Sequence, residues 1–152
     1  MDTPYGRLGT IICFDADFPT LIQQAGLARV DILLVPANDW QPIALMHSRA
    51  ATFRAVENGM SMVRATGNGT TLVVDALGQV LAEADYFAAD TLTVTADVPT
   101  RGVATLYPHL GDSPVYLCLA ILALLAVVAG LRRPASASAP ILAGRPVVDL
   151  RG

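Results

Sequence analysis

Near the start of the chain, a cysteine and two aspartates stand close together in a pattern that could do acyl chemistry: Cys13, Asp15 and Asp17. A cysteine thiolate attacks carbonyl carbon, and a neighbouring carboxylate can orient a reacting group or move a proton. Where a cysteine lies between a strand and a helix, backbone N–H groups and the helix dipole can lower the pKa of the thiol and bind an oxyanion. The pattern predicts a nucleophile at Cys13; an inert core cysteine is the alternative.

The residues on either side of Cys13 predict the two elements that would position it. Residues 8–12 have the apolar and β-branched character of a strand that is buried on both faces. Residues 20–25 predict the start of a helix, and either Asp17 or Thr20 could cap it. Cys13 is therefore expected in a strand-to-helix turn.

A second polar cluster follows the next predicted strand. Residues 30–36 are apolar and end in Pro36, which predicts a buried strand that stops at the proline. Asn38, Asp39 and Trp40 then lie in a predicted loop, and loops after the strands of open α/β sheets are where ligands bind. These three residues are candidates for shaping a substrate pocket. A strand-ending turn with one packed aromatic side chain is the alternative.

Residues 42–58 predict a helix that ends at the stop signal Asn58-Gly59. The larger apolar residues of this segment recur at intervals of three and four positions, which predicts that they form the face that packs on the sheet. They are Ile43, Met46, Ala50, Phe53 and Val56. The opposite, solvated face would carry Ser48, Arg49 and Glu57.

Further strands are predicted after that helix, and the second and third of them form a hairpin through the turn Leu77-Gly78. They cover residues 61–66, 70–75, 80–84 and 90–98. Arg64 inside a strand is unusual enough to predict a buried ion pair. The alternation of strand, helix and strand predicts an α/β fold in which helices cover one face of a sheet.

Several short motifs follow one another in an order that carries more information than any one of them. The series begins at Gly6-Arg7-Leu8-Gly9 and passes through Cys13-Phe14-Asp15 and Phe18-Pro19. It continues through Pro36-Ala37-Asn38-Asp39-Trp40, Arg54-Ala55-Val56-Glu57-Asn58-Gly59, Arg64-Ala65-Thr66-Gly67-Asn68-Gly69 and Asp75-Ala76-Leu77-Gly78-Gln79. In this order the motifs resemble the nitrilase, or carbon–nitrogen hydrolase, superfamily, and within it the apolipoprotein N-acyltransferase branch. The resemblance covers about residues 3–131.

The resemblance implies a fold and a chemistry. The fold would be the later part of the αββα sandwich of the nitrilases, followed by one transmembrane helix. In that family a cysteine thiolate attacks the carbonyl, a glutamate acts as general base and acid, and a lysine stabilises the tetrahedral intermediate; Cys13 matches the cysteine. The glutamate and the lysine belong to earlier parts of the family's domain, and this chain contains no lysine. We therefore expect a part of the enzyme that is inactive alone and needs the missing N-terminal half, which a separate chain could supply in trans.

Asp15 marks a departure from the branch that the chain most resembles. A glutamate usually stands two residues after the cysteine in the N-acyltransferases, whereas soluble amidases of the superfamily tend to carry an aspartate. Asp15 could orient the turn by accepting backbone N–H bonds, or it could simply cap a helix.

The second half of the chain contains an apolar segment that predicts a membrane span. The whole chain of 152 residues is 53% hydrophobic and 15% charged, and residues 115–131 contain no charge. Arg132-Arg133 follows at once, which predicts that this end is cytoplasmic and that residues 1–112 are periplasmic in the bacterial inner membrane. A buried core helix is the alternative.

These observations predict three regions: residues 1–111 are the C-terminal part of a carbon–nitrogen hydrolase domain, 112–133 the transmembrane helix with its flanks, and 134–152 a disordered tail. The net charge of −3 argues against a nucleic-acid partner. No metal site or cofactor is expected, since neither His47 nor His109 has ligands at a zinc-like spacing.

The resemblance implies an acyltransferase that takes a chain from a phospholipid onto Cys13 as a thioester and passes it to the N-terminal amine of a lipoprotein. A nitrilase-type amidase that hydrolyses carbon–nitrogen bonds is the first alternative. A non-catalytic remnant is the second.

Overall fold

The computed structural model describes residues 1–88 and 93–132, and a six-stranded mixed sheet dominates it. The strands lie side by side in the order in which they occur in the chain. They are β1 (Asp2–Thr3), β2 (Gly6–Thr10), β3 (Ile32–Asn38), β4 (Ser61–Gly67), β5 (Thr70–Val74) and β6 (Val80–Asp85). The helices are α1 (Pro19–Leu27), α2 (Ala44–Asn58), α3 (Tyr107–Leu110) and α4 (Ser113–Leu131), and short 3-10 helices cover Cys13–Asp17, Gln41–Ile43 and Tyr86–Ala88.

Three neighbouring strands, β2, β3 and β4, are parallel, and α1 and α2 connect them in turn. Crossover connections between parallel strands are right-handed, so two successive crossovers in the same direction put both helices on one face of the sheet. The strands outside this central unit pair antiparallel, including the β5–β6 hairpin. The predicted α/β sheet with helices on one face is thereby confirmed.

The hydrophobic core lies between the sheet and these two helices. Leu33 and Val35 of β3 and Met62 of β4 point towards the helices, where they meet Ile22 of α1 and Ala51 of α2. Successive side chains of a strand point to opposite faces. The residues between them on β3 and β4 therefore face away from the helices.

The sequence-based prediction for the buried face of α2 is wrong. The side chains that face the core are small or polar: Ala44, His47, Ser48, Ala51, Ala55 and Asn58. The large apolar ones, Met46 and Phe53, are 62% and 65% exposed. Apolar periodicity marks both stripes of this helix, and close packing on the sheet selects the stripe of small side chains.

Strand β3 does not stop at its proline. Pro36 pairs with Ala65 of β4, and the strand continues to Asn38, which had been predicted in a loop. The pairing with β2 ends at Leu34, opposite Thr10, because β2 ends there. Beyond that point β3 has an open edge, and a missing N–H is tolerated on such an edge.

Three other predictions about local structure need correction. Helix α1 begins at Pro19 with Phe18 as its N-cap, and neither Asp17 nor Thr20 caps it; a proline at the first position already supplies the helical φ. In the predicted strand at 90–98, residues 93–98 form no strand, and the others lie outside the described residues. The strand β2 is also not buried on both faces, since Thr10 is exposed.

Helix α4 is the apolar segment predicted from the sequence. It has 19 residues, a mean hydropathy of 2.6 and no buried residue, so its length and composition suit a membrane span. The chain divides into two compact units, Met1–Pro114 and a second that begins at Val115. Arg133 and the predicted tail at 134–152 lie outside the described residues.

The segment before α3 is tied to the start of the sheet by one carboxylate. Asp31 accepts hydrogen bonds from the N–H of Arg7 at 2.7 Å and from the N–H of Gly102 at 2.8 Å. These two bonds, the first above all, hold the pKa of Asp31 below its ordinary value. Gly59, at the end of α2, accepts a further bond from the N–H of Val103 at 2.7 Å.

Replacing Asp31 should make the stability of the fold less dependent on pH. Because the pKa of Asp31 is lower in the folded than in the unfolded chain, its contribution is present above the unfolded value of about 3.9 and is lost as the pH falls through the folded value. We expect Asp31→Asn to lower the free energy of unfolding at pH 7 by about 1–2 kcal/mol, and by less at pH 3. Urea unfolding of the full chain in detergent micelles measures both.

Asp97→Asn is the matched control, because Asp97 is exposed and should change the free energy of unfolding by less than about 0.5 kcal/mol at either pH. A loss for Asp31→Asn that is as large at pH 3 as at pH 7 would contradict the assignment.

Candidate active site

The carboxyl ends of β2, β3 and β4 meet at one edge of the sheet, which we call the carboxyl edge. Cys13 follows β2 at this edge, and its Sγ lies 3.5 Å from the carbonyl oxygen of Asn38, the last residue of β3. The Asn38 side chain accepts a hydrogen bond from Asn68, which follows β4, at 3.0 Å. Ligand sites of open α/β sheets lie outside the carboxyl ends of the strands, so this edge is the candidate site.

Cys13 occupies a strained turn. Its φ is +50°, which is in the left-handed region that a residue with a Cβ seldom adopts. Such strain persists only where the surroundings enforce it, and it concentrates at functional sites. The residue is half-buried and forms no disulfide.

Asp15 fixes the turn through the backbone on both sides of Cys13. Its carboxylate accepts the N–H of Ile12 at 3.0 Å, and its own N–H donates to the carbonyl oxygen of Ile12 at 3.0 Å. This is the geometry that the predicted orienting role of Asp15 requires. Whether Asp15 also takes part in the chemistry stays a prediction.

The expected support of Cys13 by the dipole of a long helix is not found. Helix α1 begins only at Pro19, and a five-residue 3-10 helix, Cys13–Asp17, lies between it and the strand. The macrodipole acts within the first turn of a helix. The dipole of α1 therefore does not bear on the thiol.

Asp39 belongs to a buried ion pair and not to an open loop. Both of its carboxylate oxygens accept bonds from Nη2 of Arg64, at 2.9 and 3.0 Å. The other guanidinium nitrogen of Arg64, Nη1, donates to Oγ1 of Thr66 at 2.7 Å. The buried ion pair predicted from Arg64 is confirmed, and its partner is the residue that the sequence had suggested as a pocket residue.

His47 is a site residue that the sequence analysis missed. Its Nδ1 lies 3.1 Å from Oδ1 of Asp39, and its Nε2 lies 3.2 Å from Oδ2 of Asp17. The ring is buried, and it joins the end of the Cys13 turn to the residue after β3. The signal that could have found it is topological: α2 starts just after β3, so its first turns lie near the carboxyl edge.

Aromatic side chains surround this histidine on the outer side. The ring centroids of Trp40 and Phe14 lie 6.0 and 5.8 Å from that of His47, and Phe18 packs edge-on against Phe14 at 5.4 Å. Trp40 is 58% exposed, so the predicted packed aromatic of a strand-ending turn is not what is observed. Together the three rings form an apolar cluster next to His47.

Within the part of the chain that the structure describes, no cluster of three or more histidine, cysteine and acidic side chains could hold a metal ion. His47 does lie between Asp17 and Asp39 and contacts both carboxylates. The Asp39 carboxylate, however, is already paired with Arg64. The chemistry available at the carboxyl edge is that of a thiol, of amide groups and of carboxylates in hydrogen bonds.

Comparison with known proteins decides between the families that use such a thiol. The family model described as carbon–nitrogen hydrolase matches residues 1–104. The chain belongs to the carbon–nitrogen hydrolase family. Cys13, Asp39 and Arg64 all lie within the matched region.

Curated relatives add a narrower similarity. The chain is 34% identical over 122 residues to apolipoprotein N-acyltransferase 1 of Treponema denticola, which covers 78% of this chain and 22% of that protein. It is 36% identical over 132 residues to the apolipoprotein N-acyltransferase of Haemophilus influenzae, covering 80% of this chain and 24% of that protein. The chain therefore spans about a quarter of the length of these relatives.

A solved structure supports the fold. The carbon–nitrogen hydrolase from Helicobacter pylori G27 superposes with a TM-score of 0.52 at 20% identity, over 56% of this chain and 38% of that one. The observed sheet and its crossover helices thus match part of a nitrilase-type fold. The predicted resemblance to this superfamily and to its N-acyltransferase branch is confirmed.

Removing Arg64 should destabilise the domain strongly, because the buried Asp39 carboxylate would lose its cation. We expect Arg64→Met to lower the free energy of unfolding by about 3 kcal/mol or more. Arg49→Met, on the exposed side of α2, is the matched control and should cost less than about 0.5 kcal/mol. If urea unfolding showed the same loss of unfolding free energy for Arg64→Met and Arg49→Met, the buried ion pair would not be the source of the stability.

Proposed function

We propose that this chain is the cysteine-bearing part of an acyltransferase of the apolipoprotein N-acyltransferase type. The observation that carries the proposal is the placement of Cys13 at the carboxyl edge, in a left-handed turn and with a half-buried thiol. Carbon–nitrogen hydrolase membership and similarity to proteins named apolipoprotein N-acyltransferase support it. Cys13 would carry the acyl group as a thioester.

The proposed reaction has two balanced steps. In the first, the thiolate of Cys13 attacks the ester carbonyl carbon of a phospholipid acyl chain; a C–S bond forms, the ester C–O bond breaks, and the lysophospholipid oxygen takes up a proton. In the second, the N-terminal amine of a lipoprotein attacks the thioester; a C–N bond forms, the C–S bond breaks, and the thiol regains its proton. Both steps pass through a tetrahedral oxyanion.

The base and the oxyanion donor of these steps are proposed to come from the part of the enzyme that precedes this segment in the family. The acidic residues next to Cys13 are already engaged: Asp15 with the backbone, Asp17 with His47, and Asp39 with Arg64. The family resemblance assigns the remaining roles to a glutamate and a lysine. Either a longer polypeptide or a separate chain could supply them.

The outer face of the sheet presents apolar side chains against which that part could pack. Leu34 and Pro36 of β3 point away from α1 and α2 and are exposed, and they pair with Val63 and Ala65 of β4 on the same face. In a two-sheet sandwich such apolar residues interdigitate with those of the facing sheet. We propose that the N-terminal half of the sandwich packs here.

The membrane location is also a proposal. Helix α4 would cross the bacterial inner membrane, with Arg132 at the cytoplasmic end and the catalytic unit on the periplasmic side. A phospholipid donor would then be available in the same bilayer. This arrangement would bring the acyl donor to the enzyme without passage through water.

Amide hydrolysis is the second candidate function, and Asp15 is the observation that favours it. An aspartate at this position resembles the soluble amidases of the superfamily. In an amidase, water and not an amine would attack the thioester on Cys13 and release the acyl group as a carboxylic acid. The two functions share the thioester and differ in the acceptor.

Acylation of Cys13 by an activated ester tests the shared step. Because 4-nitrophenolate leaves without being protonated, this activated ester depends less than a phospholipid does on the glutamate and the lysine that the chain lacks. We therefore expect the full chain in phospholipid vesicles to react slowly with 4-nitrophenyl palmitate and to gain one palmitoyl group on Cys13, which hydroxylamine removes. Peptide mass spectrometry locates the group. The Cys13→Ser chain should gain no thioester, and the Cys118→Ser chain should react like the natural one.

Acylation of both cysteines at equal rates, or of Cys118 alone, would contradict the proposal. Release of palmitate in many turnovers with water as the acceptor would favour the amidase. A stable thioester that added glycinamide discharges would favour the transferase.

The two cysteines also report the proposed topology. Cys118 lies on α4, within the apolar segment, and Cys13 lies in the other unit. In right-side-out membrane vesicles we expect a membrane-impermeant maleimide to label Cys13 and to leave Cys118 unlabelled until detergent is added. Labelling of Cys13 only in inverted vesicles would reverse the orientation, and ready labelling of Cys118 without detergent would exclude the span.

A further inference from the structure

The buried histidine of α2 closes a ring of contacts around the proposed nucleophile. Starting from Cys13, the 3-10 helix leads to Asp17, whose carboxylate contacts Nε2 of His47 at 3.2 Å. Nδ1 of His47 contacts Asp39 at 3.1 Å. Asp39 follows Asn38, whose carbonyl oxygen faces the thiol of Cys13 at 3.5 Å.

We propose that His47 is a positioning residue for Cys13, and that the Asp17–His47–Asp39 bridge keeps the nucleophile in its strained turn. The inference rests on the proposed function for its catalytic meaning, but the ring itself is structural. Three separate elements meet in it: the turn after β2, the end of β3 and the first turns of α2.

The chemistry of the two contacts shows why a histidine suits this place. An ionised carboxylate only accepts hydrogen bonds, and each ring nitrogen of His47 faces a carboxylate oxygen. The imidazole can therefore contact one carboxylate from each of its two nitrogens, which a side chain with a single polar atom could not do.

The two ends of the bridge differ in burial and in the number of contacts that hold them. Asp39 is fully buried and is held by Arg64 and by its own N–H, which donates to the carbonyl oxygen of Gly67 at 2.9 Å. Gly69 approaches it so closely that a Cβ there would lie 2.7 Å from Oδ2 of Asp39. Asp17 is less enclosed, with a side chain that is 22% exposed. His47 therefore links the end of the Cys13 turn, at Asp17, to the well-held carboxylate of Asp39.

A left-handed φ at a non-glycine residue relaxes unless its neighbours prevent it. Asp15 holds the start of the turn through Ile12, and the bridge holds its end at Asp17. If the bridge is cut, the end of the turn is free and Cys13 can leave the conformation in which its thiol faces the carbonyl oxygen of Asn38. A misplacement of about 1 Å at a reacting atom can cost about 100-fold in rate.

Two readouts on the full chain in vesicles test the inference. The first is backbone hydrogen exchange of the peptide that contains residues 12–18, which needs no acyl chemistry. The second is the rate of Cys13 acylation by 4-nitrophenyl palmitate. For His47→Ala and Asp17→Ala we expect exchange at residues 12–18 to become at least 10-fold faster and acylation at least 10-fold slower.

Two further variants separate positioning from simple loss of stability. The amide of Asp17→Asn can donate to Nε2 while Nδ1 still donates to Asp39, so this conservative variant should stay within 3-fold of the natural chain in both readouts. Val74→Ala removes core methyl groups far from the bridge in sequence and leaves its contacts in place. It should lower the melting temperature without changing either readout by more than 3-fold.

The inference is overturned if His47→Ala leaves exchange at residues 12–18 unchanged, or if Val74→Ala changes both readouts as much as His47→Ala does. A natural chain that is never acylated, combined with faster exchange in His47→Ala only, would reject the proposed function and support the bridge. Normal acylation of His47→Ala would reject the bridge and leave the proposed function standing.

Discussion

The buried carboxylate of Asp39 is the constraint on which the carboxyl edge depends. It lies at the end of the central parallel strand, where it is shared between the guanidinium of Arg64 and the imidazole of His47. A carboxylate taken out of water must find donors, and here each donor comes from a different element. The ion pair thereby joins β3, β4 and α2 at the one edge where Cys13 leaves β2. We propose that the geometry of the thiol depends on that junction.

Much of this arrangement follows from local sequence signals. The strands at β4, β5 and β6, the end of α2 at Gly59 and the apolar helix α4 were all predicted from residue type and periodicity. The strand-to-turn position of Cys13 was predicted too, because apolar residues stop abruptly there. These signals act over a few positions of the chain, which is the range over which propensity and periodicity carry information.

The errors have one physical origin, which is that tertiary packing chooses between locally equivalent options. Met46 and Phe53 make as good an apolar stripe as Ala51 and Ala55, and only the closeness of the sheet selects the small residues. Pro36 is a strand breaker except where the neighbouring strand has already ended. His47 could not be found from spacing, because its two partners lie on other elements. The partner of Arg64 was missed for the same reason.

The large apolar side chains that the packing leaves outside, together with the exposed outer face of the sheet, fit a domain that works against other protein or lipid surfaces. The central claim remains that Cys13 carries an acyl group. Its most direct test supplies the proposed base and oxyanion donor by co-producing the chain with the N-terminal part of a related N-acyltransferase, and then measures the mass of the Cys13 peptide in chain isolated from the bacterial membranes with no acyl donor added. The account predicts a fatty-acyl adduct on Cys13 that hydroxylamine removes; an unmodified thiol at Cys13 in every preparation, or an adduct only on Cys118, would contradict it.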